Sequence, residues 1–191
     1  MACRFYLVTG NIHKLEEASK IVSGFGVELA PAGIGKLEIQ SENLEDIALA
    51  AARHAYMRLK RPVLVDDSGL FVEALGGFPG PYSSYVYRKL GVGGILKLLE
   101  GARDRRACFK TALAMIYPPL EKVFTGNVCG TIADNPRGMG GFGFDPIFVP
   151  DGYTLTFAEM SLEEKNRISH RAHAFRRFAE YASARLGCGK R

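Results

Sequence analysis

Two adjacent carboxylates, Asp66 and Asp67, follow the apolar run Val63-Leu64-Val65 and precede Ser68-Gly69. Open α/β sheets gather ligands at the carboxyl ends of their strands, and neighbouring strand residues point to opposite faces. At least one of the two acids should therefore face a cleft, where hard oxygen donors suit Mg²⁺ with a phosphate substrate. An Asp-capped turn is an equally open reading of these residues. Glu38, in Leu37-Glu38-Ile39-Gln40, can bring a third acid to the same place, although a single glutamate is ordinarily a solvated surface group. In Thr9-Gly10-Asn11-Ile12-His13-Lys14 a strand gives way to a helix. Backbone N–H groups at a helix start attract phosphate, and Lys14 adds a full charge; the plainer reading is a glycine turn, an asparagine cap and a solvated lysine. No G-x-x-x-x-G-K-[ST] run is present, so P-loop chemistry has no support.

Two later segments add candidates. Gly138-Met-Gly-Gly-Phe-Gly143 matches G-x-G-x-x-G, yet it follows no convincing strand and runs into Phe144-Asp145-Pro146 rather than a helix, which rules out the dinucleotide reading. Phe142 and Phe144 in so glycine-dense a loop suggest a wall on which a planar base stacks, with anchoring of the loop to the core as the alternative. In Glu164-Lys165-Asn166-Arg167-Ile168-Ser169-His170-Arg171, Lys165 and Ser169 share one side of a helix. Lys165 precedes the inward-facing Ile168 by three residues, and a lysine on a buried side needs a partner. His170 and His173 lack a third ligand and make no zinc site.

The elements that must position these residues read as α/β. Arg4–Val8 is a short strand, followed by a helix with Leu15, Ala18, Val22 and Phe25 on one face and Asn11 as its cap. A second helix runs from Leu44 to Leu59 and is closed by Pro62; Val63–Val65 is a buried strand. Residues 106–117 and 122–133 form a hairpin across Pro118-Pro119. A last helix opens at the capping box Ser161–Glu164 and carries Ile168, Ala172, Phe175, Ala179, Ala182 and Leu186 on its apolar stripe. With 191 residues, 47% of them hydrophobic, the chain is expected to fold as one domain, possessing a core that needs neither disulfide nor structural metal. No apolar run approaches a bilayer span and no signal-peptide core is present, so a soluble cytoplasmic protein is expected. The spacing of Cys3, Cys108, Cys129 and Cys188 matches neither zinc ligands nor a compact disulfide framework, so they are expected to be reduced and mostly buried; proteins of hyperthermophiles are the exception. The net charge of +5 makes an anion a plausible partner.

Taken in order, Thr9-Gly10-Asn11 with Lys14, Val65-Asp66-Asp67-Ser68-Gly69, Ala74-Leu-Gly-Gly-Phe-Pro-Gly-Pro-Tyr82, Gly141-Phe-Gly-Phe-Asp145-Pro146, Phe157-Ala-Glu-Met160, Glu164-Lys165-Asn166 and Ser169-His170-Arg171 resemble the inosine triphosphate pyrophosphatase family. The resemblance covers most of the chain. It implies a mixed, twisted central sheet flanked by helices in two lobes, with an active-site cleft between them. The implied activity is hydrolysis of ITP, dITP and XTP to the monophosphate and pyrophosphate, with Mg²⁺ as cofactor.

Residue by residue, the resemblance implies that Thr9, Gly10, Asn11, Ile12, His13 and Lys14 hold the triphosphate. Glu38 and Asp67 would bind Mg²⁺, Asp67 would also accept the proton of the attacking water, and Asp66 would tune that site. Ser68 would touch substrate, and Phe142, Gly143, Phe144 and Asp145 would enclose base and sugar. Lys165, His170 and Arg171, with Ser169 in the same cluster, would read the purine edge. A homodimer is implied as well, with no nucleic-acid or membrane partner. Ala51 and Ser84 stand where certain members place an additional lysine near the phosphates, which leaves Arg53 or Arg88 as candidate substitutes. Two other readings remain: a pyrophosphatase for pyrimidine or otherwise modified nucleotides, and an RNA-binding module stacking bases on Phe142 and Phe144.

Overall fold

The structure, a computed structural model, describes residues 3–189. They divide into two compact units. Unit 1 holds the chain up to Asp67, Thr111–Gly126 and the chain from Arg171 onward; unit 2 holds Ser68–Lys110 and Asn127–His170.

Unit 1 begins with strand β1 (Cys3–Leu7), helix α1 (Ile12–Val22) and strand β2 (Val27–Pro31). Helix α2 (Leu44–Leu59) then leads into strand β3 (Val63–Val72). Parallel neighbours need a crossover, and α1 and α2 supply it: β1 runs parallel to β2, with Cys3 opposite Val27, and parallel to β3, with Leu7 opposite Leu64. Both helices start at an asparagine whose side chain accepts a backbone N–H, Asn11 from His13 and Asn43 from Glu45. Helix α2 buries Ala48, Ala51, Ala52 and Ala55. Phe5, Leu7, Ala18, Val22 and Leu64 form a core with Phe175, Phe178, Ala179 and Ala182 of helix α5 (His170–Arg185).

In unit 2 strand β4 (Pro79–Gly80) pairs antiparallel with the second half of β3. Helix α3 (Ser83–Leu98) follows, interrupted at Gly91, whose φ of 61° and ψ of −168° only glycine adopts at little cost. Strands β5 (Arg106–Tyr117) and β6 (Leu120–Ile132) form the expected hairpin; β7 (Phe148–Pro150) lies antiparallel to β6, and helix α4 (Leu162–Ile168) follows. The core here is Leu70, Val72, Ile95, Leu99, Phe109, Phe148 and Phe157. All strands belong to one mixed seven-stranded sheet of order β2-β1-β3-β5-β6-β7, with β4 on β3.

Three expectations are corrected. Strand β3 does not stop at Val65: it continues through Asp66-Asp67-Ser68-Gly69 to Val72, so the two acids lie inside a ten-residue strand instead of at its end. Gly69, read as a turn residue, is instead set by close approach, because a Cβ there would lie 2.1 Å from the Gly80 carbonyl oxygen of the adjoining strand. The last helix is two helices, since Ser169 is extended (φ −68°, ψ 154°) and separates α4 from α5. Serine is a good residue from which to restart a helix, and one extended residue leaves almost no trace in an apolar period.

The third correction concerns the cysteines, which are paired: Cys3 with Cys188 and Cys108 with Cys129. The first pair joins β1 to the segment after α5 and the second joins neighbouring strands. The first is invisible to spacing arguments because its partners stand 185 residues apart. In the chain-entropy account, that longer link restricts the unfolded chain more than the 21-residue one does.

Candidate active site

The acids of β3 sit in unit 1 among three cations. Lys14, in the first turn of α1, places its ammonium 3.0 Å from Asp66 Oδ2. A lysine there opposes the helix dipole, so its position is explained by the acid it meets. Arg171, at the start of α5, is buried and forks between two acids: Nε lies 3.3 Å from Asp66 Oδ2 and Nη1 lies 2.6 Å from Glu17 Oε2. The third cation, Lys36, comes from the segment between β2 and α2 and pairs with Asp67 Oδ1. Glu17, Asp66, Asp67, Lys14, Lys36 and Arg171 thus carry three negative and three positive charges.

Burial divides the protonation chemistry of the two neighbours. It opposes the charged form of Asp66, yet Lys14, Arg171 and Lys36 outweigh it and hold that carboxyl well below the usual range. For Asp67, burial prevails over Lys36 and Lys14, so its pKa is raised. Burial likewise lowers Lys14, offset in part by Asp66. One strand therefore carries an acid whose ionised form is favoured beside one with increased affinity for a proton, a combination characteristic of catalytic sites.

Unit 2 carries a second set. Lys165 is buried on α4; its ammonium donates to Asp145 Oδ2 at 2.7 Å and lies 4.8 Å from the centre of the Phe142 ring. Asp145 also accepts the Phe142 N–H at 2.8 Å, tying the glycine-rich loop to the lysine. The His170 ring stacks on Phe109 with centroids 4.7 Å apart and planes 10° from parallel. Ser169 is fully buried between the two helices, its N–H donating to the Lys165 carbonyl.

The remaining expected residues fall as follows. Asn11 caps α1, Thr9 Oγ accepts the Asn11 N–H at 3.0 Å, and Gly10, Ile12 and His13 stand exposed around that helix start. Ser68 and Gly143 are half-buried. Phe144 is not available to stack a base: it belongs to the unit 2 core and meets Tyr87 edge-on. Arg171, expected with Lys165 and His170, gives its guanidinium to Glu17 and Asp66. Of the candidate phosphate cations, Arg53 pairs with Glu121 and Arg88 donates to Ser84 Oγ, both on the surface.

Sequence reasoning missed Glu17 and Lys36. Glu17 had a signal, standing three residues after Lys14 on the same helix face. Lys36 had none, because it lies in an irregular segment placed by tertiary structure alone.

As for metal, Asp67 offers a hard, mostly buried oxygen, which fits Mg²⁺ held by one or two carboxylates and by substrate phosphates. Glu38 is exposed, two residues beyond Lys36 in the segment that reaches Asp67. No group of three or more His, Cys, Asp or Glu side chains converges among the described residues; Mg²⁺ ordinarily takes most of its ligands from water and substrate phosphates.

Two buried, ion-paired acids with pKa values pushed apart, on a central strand of a mixed α/β sheet, mark a candidate catalytic site. The chain belongs to the Ham1 family, whose model matches residues 5–181. It is 52% identical over 182 residues to a dITP/XTP pyrophosphatase of Hyperthermus butylicus, covering 95% of this chain and 96% of that one. It is 51% identical over 183 residues to a dITP/XTP pyrophosphatase of Thermococcus kodakarensis, covering 96% and 99%. Among solved structures, a HAM1 protein from Coxiella burnetii superposes with a TM-score of 0.85 at 31% identity, over 96% of this chain and all of the other. No helix of the described residues is long and apolar enough to cross a membrane.

Proposed function

We propose that this chain hydrolyses dITP, ITP and XTP to the monophosphate and pyrophosphate, removing deaminated purines from the cytoplasmic nucleotide pool. The observation that carries the reading is half-identity, over nearly the whole chain, to dITP/XTP pyrophosphatases. The unit 1 cluster supports it chemically. Cleavage between the α- and β-phosphates needs a held phosphate chain, neutralised oxygens and a group that takes the proton of water. In this reading Lys14 and the start of α1 hold phosphate, and Asp67 orients water and accepts its proton. Asp66 stays ionised and fixes Lys14 and Arg171. Mg²⁺, held by Asp67 and the phosphates, would neutralise charge developing on phosphate oxygens.

Lys165 reads the base. Hypoxanthine and xanthine present a carbonyl where adenine presents an amino group, and an ammonium donates to the first and leaves the second without an acceptor. Asp145 accepts from the ammonium and holds the lysine in place. Lys165→Ala is expected to lower kcat/KM for ITP roughly 10- to 100-fold, the value of a charge-assisted hydrogen bond, with a much smaller change for ATP. An unchanged ITP:ATP ratio would remove Lys165 from base reading. Separate incubations with ITP, dITP, XTP, GTP and ATP, with Mg²⁺ or with EDTA, test the whole reading. Turnover of ITP, dITP and XTP that EDTA abolishes is expected; equal turnover of ATP, or indifference to EDTA, contradicts it.

A homodimer completes the reading. It is supported by the apolar surface of α3 and of the residues leading into it, where Phe78, Tyr82, Tyr85 and Leu90 are exposed around a cavity of about 440 Å³. Analytical ultracentrifugation should give twice the mass of the chain, and Leu90→Glu should halve it; a monomeric wild type contradicts the assignment.

A further inference from the structure

We propose that Lys36 is a triphosphate-binding cation held on Asp67 while the protein is free of substrate, and handed to the outer phosphates when metal and triphosphate arrive. The inference rests on the pyrophosphatase reading above and assigns one residue's part in it. Lys36 and Asp67 pair with most of both side chains out of water, 16% and 12% exposed. The six-residue cluster is then neutral, which suits a protein without ligand.

Metal on Asp67 would set a dication against that ammonium, and like charges at such range repel strongly where water is scarce. Lys36 has a flexible four-carbon stem on an irregular segment, so it can leave at little conformational cost. The nearest uncompensated negative charge is then the incoming triphosphate. Lys14 serves phosphate from its fixed place on Asp66, and Arg171 is less free to serve, because Asp66 and Glu17 hold it. Arg53 and Arg88 lie on the surface, on Glu121 and on Ser84 Oγ, and neither touches the cluster's acids in the contacts described.

The test uses Lys36→Met and Lys36→Arg beside the wild type, with two probes. Electron paramagnetic resonance reads Mn²⁺ affinity of the nucleotide-free protein; calorimetry reads affinity for tripolyphosphate at saturating Mg²⁺. In Lys36→Met, Mn²⁺ should bind about tenfold more tightly, because no ammonium competes, and tripolyphosphate about tenfold more weakly. Lys36→Arg should return tripolyphosphate affinity towards the wild-type value. A lysine with a merely structural part would move neither probe or weaken both, and either result overturns the proposal. A wild type that leaves ITP intact would overturn the pyrophosphatase reading; an active wild type with unmoved probes in Lys36→Met would overturn only the role of Lys36.

Discussion

Asp67→Asn should lower kcat for ITP by roughly a hundred- to ten-thousand-fold, the range that a positioned proton acceptor supplies. The substitution keeps the shape of the side chain and removes its negative charge and its capacity to take a proton. Asp67 lies inside β3 at 8% exposure, so a larger change would risk the strand. Asparagine keeps an oxygen for Lys36, and burial already disfavours the carboxylate. The variant should therefore melt within a few degrees of the wild type. Stopped-assay kinetics with a thermal melt separate the outcomes: a folded variant with wild-type turnover would exclude Asp67 from the chemistry.

Arg171→Met should act in the opposite way, on stability before kinetics. The guanidinium is 2% exposed and holds two buried acids, Glu17 and Asp66. Removing it leaves Glu17 without that charge partner and Asp66 with less compensation, and breaking a buried pair in this way costs about 3–5 kcal/mol. Arg171→Lys keeps the charge and loses the fork that spans both acids, so it should recover only part of the loss. Adding Glu17→Gln to Arg171→Met should recover part as well, because the stranded charge is gone; a double-mutant cycle in urea measures the coupling. Stability unchanged in Arg171→Met would mean that the cluster is not held as described.

The contrast between these variants follows how much of the molecule was legible beforehand. Periodicity placed α1 and α2 closely, with the Asn11 cap marking the start of α1 and Pro62 the end of α2; the Asn43 cap of α2 went unread. Local pattern failed where tertiary contact decides. Asp66-Asp67-Ser68-Gly69 has the composition of a turn, but β4 lies against Gly69 and the residues are strand. Ser169 separates two helices that share one apolar stripe. Cys3 and Cys188 meet only because β1 and the end of the chain are brought together by the fold.

The candidate site was legible as residue types and much less as partnerships. Lys14, Asp66, Asp67 and Lys165 carry their chemistry in sequence. That Arg171 faces Glu17 and Asp66, that Lys36 covers Asp67, and that Phe144 belongs to the core depend on contacts between segments far apart in the chain.

The central claim is a reaction and a selectivity, and one tube tests both. Equal amounts of ITP and ATP with Mg²⁺ and the wild-type protein, followed by anion-exchange chromatography of the nucleotides and phosphorus-31 NMR of the released phosphate, should show ITP replaced by IMP and pyrophosphate while ATP persists. Orthophosphate with IDP, or loss of ATP at the rate of ITP, would contradict the account.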